Sequence, residues 1–75
     1  MTRSDFLREL DEMLELEPGT VTDETTLEAV NFDSLATLSL IALADEKLGL
    51  ALDPARIAEC QAVADLVALV SEKLD

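Results

Sequence analysis

The stretch from Asp33 to Gly49, DSLATLSLIALADEKLG, decides the fold of this 75-residue chain. Between Ser34 and Leu48 it contains neither glycine nor proline, and its many Leu and Ala residues favour an α-helix. Gly49 follows at the position where a glycine commonly closes a helix. Apolar residues lie on both faces near the start. This predicted helix is therefore either the most buried one, or buried on one side and bound by partners on the other.

The segment before this stretch predicts a first helix within residues 2–16. Apolar side chains recur there at the spacing of one helical face: Phe6, Leu7, Leu10, Met13 and Leu14. Thr2 and Asp5 match the pattern of a capping box at a helix start. The sequence Glu17-Pro18-Gly19 is expected to end the helix, because proline disfavours helical geometry in the residue before it.

A long connection, from about residue 20 to residue 33, separates the first two predicted helices. Loops of this length are uncommon in a compact domain unless they carry their own packing. Four apolar residues are expected to anchor this loop to the core: Val21, Leu27, Val30 and Phe32.

Two further helices are predicted after Gly49. Asp53 as N-cap and Pro54 at the first helical position open a short helix that runs to about Glu59. The last helix extends from Ala62 to Leu74 with a one-sided apolar stripe. The prediction is an all-α single domain over residues 1–75, a four-helix bundle with three main helices, one short helix and a long first loop.

The composition narrows the possible partners. The formal net charge is -12, from 17 acidic and 5 basic residues. Such a surface repels nucleic acid and anionic membranes, and it suits transient binding to basic patches on other proteins. Solubility alone is the other sufficient explanation for the acidity. We find no apolar run long enough to insert in a membrane and no secretory signal, so we expect a cytoplasmic monomer.

Two absences argue against an enzyme. The chain has no histidine, so a Ser–His or Cys–His catalytic pair cannot form. One cysteine without histidine also excludes the usual zinc ligand sets, and no EF-hand loop is present. No catalytic residue and no metal site is therefore predicted. Cys60 is interpreted as a small core hydrophobe.

The tripeptide Asp33-Ser34-Leu35, at the start of the second helix of a small acidic domain, resembles the D-S-L motif of acyl carrier proteins. The segment Val63-Ala64-Asp65-Leu66 is similar to the T-V-x-D-L opening of that family's last helix, and the resemblance covers nearly the whole chain. It implies that a phosphopantetheinyl transferase moves 4′-phosphopantetheine from coenzyme A onto Ser34. The alternative for Ser34 is a plain helix-capping serine.

The resemblance also implies roles for the motif neighbours. Asp33 would support the loop-to-helix junction and the approach of the transferase. Its simpler role is that of a first-turn acid facing the helix dipole. Leu35 is expected to stay partly exposed as an apolar contact for partners, with core packing as the alternative.

The partners that the resemblance implies are the phosphopantetheinyl transferase, an acyl-loading enzyme, and a ketosynthase or acyltransferase. The predicted contact residues on the second helix are Leu35, Leu38, Asp45 and Glu46. Where fatty-acid-type carriers commonly place acids, this chain has Ala36, Ser39 and Lys47. The thinned acidic stripe favours a specialised fatty acid, polyketide or related secondary-metabolite pathway over the housekeeping fatty acid cycle.

Three departures from the family pattern stand out. Asn31 replaces a glycine common in the family, although asparagine also tolerates left-handed geometry. Phe32 replaces a small residue, and Ala62 replaces a capping Thr or Ser, which is expected to fray the start of the last helix. Two alternatives stay open at this point: a peptidyl or aminoacyl carrier, and an unmodified carrier-like interaction module.

Overall fold

The computed structural model describes all 75 residues of the chain and contains four α-helices and no strand. The helices are α1 (Arg3–Met13), α2 (Ser34–Leu43), α3 (Pro54–Ala58) and α4 (Val63–Val70). A 3₁₀ turn at Glu28–Val30 interrupts the long loop, a π-helical turn at Ala44–Leu48 extends α2, and a 3₁₀ turn at Ser71–Lys73 follows α4. The predicted all-α bundle is confirmed, whereas the three non-α turns were not predicted. None of the helices combines the length and the apolar character that a membrane crossing needs.

The first helix begins as predicted and ends earlier. The Thr2 hydroxyl accepts a hydrogen bond from the Asp5 backbone N–H, and the Asp5 carboxylate accepts one from Thr2, both at 3.1 Å. The helix ends at Met13, because Glu15 adopts a left-handed conformation with φ 59°. Pro18 is therefore not what ends the helix, and that expectation was wrong.

A buried carboxylate joins α1 to the long loop. Asp11 is only 2% exposed, and its two oxygens accept hydrogen bonds from the backbone N–H groups of Gly19 at 2.9 Å and Val21 at 2.8 Å. Burial of a carboxylate is unfavourable unless hydrogen bonds replace its hydration, and these two bonds do so. No local pattern in the sequence indicates this role for Asp11, because its partners lie eight and ten residues further along the chain.

The core is one cluster to which the long loop and all four helices contribute. Its ten residues are Phe6, Leu10, Val21, Leu27, Leu40, Ile57, Val63, Leu66, Val67 and Val70. Val21 and Leu27 anchor the loop as expected, and half-buried Phe32 packs against the cluster. Val30 does not, since the 3₁₀ turn leaves it half-exposed and outside the core. The expectation for Val30 was wrong.

Backbone hydrogen bonds fix the long loop against the start of α4. The Val63 and Ala64 N–H groups donate to the carbonyls of Thr25 at 2.8 Å and Asp23 at 3.0 Å. The Asp65 carboxylate accepts from the N–H groups of Gln61 and Ala62 at 2.9 and 3.1 Å. These two hydrogen bonds lower the pKa of Asp65, and the bond from Gln61 has the larger effect. The fraying expected from the alanine at position 62 is therefore absent, because loop carbonyls and Asp65 replace the missing cap.

The second helix is buried on one side only. Ala36, Leu40 and Ala44 face the bundle, whereas Leu35 is 71% and Leu38 64% exposed. The helix is therefore not the fully buried one of the first alternative, and its one-sided burial agrees with the second. As predicted, Gly49 closes the helix in a left-handed conformation, and Asp53 caps α3 through the Ala55 N–H at 2.9 Å.

Candidate functional site

The junction between the long loop and α2 is organised by Asp33. Its carboxylate accepts a hydrogen bond from the Ala36 N–H at 2.9 Å, and its carbonyl accepts one from the Thr37 N–H at 2.9 Å. Asp33 is therefore the N-cap of α2, and Ser34 is the first helical residue. The reading of Ser34 as a capping serine was wrong, and so was the placement of Asp33 inside the first turn, because the aspartate one position earlier takes the capping role.

Capping by Asp33 leaves the Ser34 hydroxyl free. The side chain is exposed and forms none of the hydrogen bonds within the protein. The backbone N–H groups of Ser34 and Leu35 also have no acceptor within the chain. Such N–H groups carry the positive end of the helix dipole and can bind an anion. The first turn of α2 thus combines an accessible nucleophilic oxygen with donors for a negatively charged group.

The chain reaches this junction through a tight turn. Asn31 has φ 53° and ψ 52°, the left-handed geometry that the sequence reading expected it to tolerate. The Phe32 N–H donates a hydrogen bond to the carbonyl of Leu27 at 3.0 Å, so the turn is anchored to a core residue. The turn and this hydrogen bond set the direction in which the chain enters α2 at Asp33.

Two open depressions flank the junction, and Asp33 lines both. The α3 cleft lies between the loop, α2 and α3, has a volume of ≈ 570 Å³ and includes Phe32 and Thr37. The α1 groove lies between the end of α1, the loop and the start of α2, and has a volume of ≈ 560 Å³. Its lining includes Leu14, Glu15, Val30, Asn31, Asp33 and Leu35. Neither depression was predicted from the sequence, because each is formed by elements that are distant in the sequence.

The predicted contact residues are all exposed. Leu35 and Leu38 are the large exposed hydrophobic residues of the protein, and Asp45 and Glu46 lie exposed in the π-helical turn that follows α2. A surface of this kind, apolar with acids nearby, can bind a partner that presents apolar and basic side chains.

Two of the three positions interpreted as missing acids hold residues that contact the rest of the bundle. Ala36 is only 8% exposed and packs into the bundle. The Lys47 ammonium group lies 3.4 Å from the Glu9 carboxylate of α1, which it neutralises. Ser39 alone is a partly exposed, neutral position on the α1 groove side of α2. The reading of Ala36 as part of an exposed stripe is corrected accordingly.

Cys60 is a half-buried residue that packs against the core, in agreement with its interpretation as a small hydrophobe. Its thiol donates to the Arg56 carbonyl at 3.4 Å. Burial raises the pKa of the thiol, and the negative charges of Asp65 and Glu59 raise it further. Little thiolate is therefore present at neutral pH, which makes Cys60 a poor nucleophile. No three or more acidic or cysteine side chains come together in a way that could hold a metal ion.

The fold and the junction together define a small helical-bundle domain whose second helix begins with a free serine hydroxyl. Comparison with known protein families matches residues 4–70 to the family described as the phosphopantetheine attachment site, PP-binding. The match spans most of the chain, so the protein belongs to this family and is a phosphopantetheine carrier. The group carried covalently by such a domain is 4′-phosphopantetheine. A comparison with curated proteins finds no match.

Family membership confirms the resemblance to acyl carrier proteins and the cofactor that it implied. Carrier domains of this family are generally non-catalytic, and they interact with enzymes such as transferases and synthases. The first turn of α2 fits the cofactor, because an exposed hydroxyl lies beside two unpaired N–H groups that can bind a phosphate.

Proposed function

We propose that Ser34 is the attachment residue, and that the protein is an acyl carrier protein that tethers acyl intermediates as thioesters for a specialised fatty acid, polyketide or related pathway. The observation that supports this most is the free Ser34 hydroxyl at the first position of α2, within the region matched by the family. Residues 1–75 would act as one carrier domain. The cytoplasm is the proposed location, because a reducing compartment keeps the arm's thiol and Cys60 free.

The residues around Ser34 would each contribute to attachment. Asp33 holds the start of α2 so that the Ser34 hydroxyl projects outward, and its own carboxylate is occupied by the Ala36 N–H. In the transfer, the Ser34 oxygen forms a phosphodiester bond to the pantetheine-side phosphorus of coenzyme A, the pyrophosphate P–O bond breaks, adenosine 3′,5′-bisphosphate leaves, and the serine hydroxyl loses its proton. The chain has no histidine to accept that proton, so the base is expected to come from the transferase. The N–H groups of Ser34 and Leu35 would then face the new phosphodiester.

Once attached, the arm supplies a thiol that forms thioesters, a chemistry the protein's own side chains do not provide. The carrier's part is to present this thiol to other proteins. Exposed Leu35 and Leu38 would supply apolar contacts to the acyl-loading enzyme and to a ketosynthase or acyltransferase, and Asp45 and Glu46 would attract basic residues of those partners. The neutral Ser39 supports a specialised partner set over the housekeeping one.

The experiment that tests this function measures intact mass after incubation with coenzyme A and a broad-specificity phosphopantetheinyl transferase. Wild type should gain one phosphopantetheine, and Ser34→Ala should gain none while keeping its helical circular dichroism. Ser39→Ala is the matched control, because it removes a second serine hydroxyl from the same helix and should be modified normally. An unmodified wild type would favour a carrier-like interaction module. Modification of Ser34→Ala would show that phosphopantetheine is attached to another residue.

A further inference from the structure

The α1 groove has features that are not needed for the attachment of phosphopantetheine to Ser34. We propose that the phosphopantetheinyl transferase seats on this groove when it modifies Ser34, and that it fills the groove with an apolar side chain flanked by a basic one. The inference rests on the proposed attachment at Ser34. The contact surface predicted from the sequence lies on the second helix alone. The proposal extends this surface to the end of α1 and the long loop.

The position of the groove follows from the neighbours of Ser34. Asp33 and Leu35, the residues on either side of it, both line the α1 groove, whereas only Asp33 lines the α3 cleft. An enzyme that brings its active site to the Ser34 hydroxyl must cover these neighbours. It therefore also covers the rim of the α1 groove.

The apolar part of the groove comes from three separate elements. Leu14 follows α1, Val30 ends the 3₁₀ turn of the loop, and Leu35 lies in α2. Val30 is half-exposed and is not among the hydrophobic side chains that pack against the core cluster, although its N–H donates to the carbonyl of the core residue Leu27 at 3.3 Å. The volume of ≈ 560 Å³ lies within the roughly 300–1,000 Å³ typical of sites that accept a ligand group. It is ample for one apolar side chain.

The charge of the groove indicates which charged side chains the partner presents. Glu15 and Asp33 contribute two carboxylates, and no basic residue lines the groove. Lys47, a basic residue of the α2 extension, pairs with Glu9 of α1. The complementary partner surface therefore carries Arg or Lys next to its apolar side chain.

Two residues with left-handed backbone geometry also line the groove. Glu15 and Asn31 are the only non-glycine residues with positive φ, at 59° and 53°, and both line it. Asparagine accommodates this conformation readily, but glutamate does so at a backbone cost. The conformation of Glu15 belongs to the cap that ends α1, in which the Glu15 N–H donates to the Glu12 carbonyl at 3.1 Å and the Leu16 N–H to the Asp11 carbonyl at 2.8 Å. A charged side chain at position 15 thus adds a carboxylate to the groove at some expense of backbone stability.

Loading kinetics with coenzyme A and the broad-specificity transferase test the proposal. Val30→Thr exchanges one methyl group for a hydroxyl at nearly constant volume, and Glu15→Asn removes the charge while suiting the left-handed backbone. Each should lower kcat/KM roughly three- to fivefold through KM, since one apolar or charged contact is lost. The melting temperature of Glu15→Asn should equal or exceed that of wild type, which a purely structural role for Glu15 would not give. Glu28→Asn is the charge-matched control, because Glu28 is exposed and lines the α3 cleft instead.

The outcomes separate this inference from the proposed function. Loss of efficiency in Val30→Thr and Glu15→Asn but not in Glu28→Asn supports the groove. Wild-type efficiency in both groove variants, or an equal loss in Glu28→Asn, overturns it while the attachment stands. A wild type that gains no phosphopantetheine overturns the proposed function itself.

Discussion

The Asp33 carboxylate accepts the Ala36 N–H at 2.9 Å, and this one bond determines which residue of the junction is free to react. Since the aspartate caps the helix, the serine that follows it keeps an unbonded hydroxyl on an exposed first turn. The structural and the proposed chemical roles are thus divided between adjacent residues. Mutations can therefore test them separately.

Removing the cap should weaken the protein without removing the hydroxyl. We expect Asp33→Ala to lower the free energy of unfolding by about 1 kcal/mol, because the Ala36 N–H loses its acceptor. Asp33→Ser restores an acceptor without charge and should recover most of that loss. Urea unfolding followed by circular dichroism measures both. If Asp33→Ala were as stable as wild type, the hydrogen bond would not contribute to the fold.

The buried carboxylate of Asp11 should be one of the most sensitive polar positions. In Asp11→Asn, an amide NH₂ replaces one of the two acceptors and faces a backbone N–H of Gly19 or Val21. We expect a loss of about 1–3 kcal/mol in the free energy of unfolding, because a buried donor is left without a partner. Glu12→Gln, at the exposed neighbouring position, is the control and should change stability by less than about 0.5 kcal/mol. Equal effects of the two substitutions would contradict the account of the loop anchor.

Stability should depend on pH in a way that identifies the Asp65 cap. The hydrogen bonds from Gln61 and Ala62 lower the pKa of Asp65 in the folded state from the ordinary 3.8. The ionised Asp65 carboxylate therefore stabilises the folded state fully above about pH 3.8. This contribution is lost as the pH falls through the lower pKa that Asp65 has in the folded state. We expect Asp65→Asn to have a lower melting temperature than wild type at pH 6. The difference between the two melting temperatures should narrow below pH 3.8.

Asp45→Asn provides the comparison for this titration. The Asp45 carboxylate is exposed and accepts no hydrogen bond, and Asp45→Asn reduces the magnitude of the net charge of -12. It should leave the melting temperature at pH 6 unchanged or raise it, since like-charge repulsion decreases. A gap between wild type and Asp65→Asn that stays constant from pH 6 to pH 3 would show that the cap does not titrate as described.

The exposed leucines should matter for partners and not for folding. Leu35→Ala should change the free energy of unfolding by less than about 0.5 kcal/mol, whereas Leu40→Ala, in the core, should lose about 2–5 kcal/mol. In turnover with its native partner enzyme, Leu35→Ala should be more damaging than Glu46→Gln, because apolar contact is expected to carry more of the affinity. An unaffected Leu35→Ala would exclude this residue from the contact surface.

The same surface allows a test of the specialised pathway. Ser39→Glu adds an acid at a partly exposed position and should improve turnover by a housekeeping ketosynthase or malonyl transferase. Ala36 is unsuitable for such a graft because it is buried. If wild type already serves those enzymes as well as their own carrier does, the specialised assignment is wrong and the generic carrier remains.

The local signals in the sequence predicted the number of α-helices and where they begin. Thr2 with Asp5, Asp53 with Pro54, and Gly49 each act within a few residues, so their effects can be read without knowing the fold. The exposure of Leu35 was expected from the family resemblance with core packing as the alternative, and its 71% exposure excludes core packing.

What the sequence did not predict depends on contacts between distant segments. The early end of α1 is accompanied by a left-handed Glu15, and Asp11 binds backbone ten residues further along. The start of α4 is capped by loop carbonyls, which no pattern around Ala62 indicates. Val30 and Ala36 were misjudged for the same reason, because the packing of the loop and of α2 decides which side chains are covered.

The attachment at Ser34 is the central claim, and locating the modification tests it most directly. After incubation with coenzyme A and transferase, trypsin should release residues 9–47, which contain Ser34, Ser39 and the threonines of the loop. Fragmentation of this peptide by mass spectrometry assigns the added phosphopantetheine to one residue. We predict that the whole mass increment lies on Ser34. An increment on Ser39, on a loop threonine or on no residue of this peptide would contradict the account.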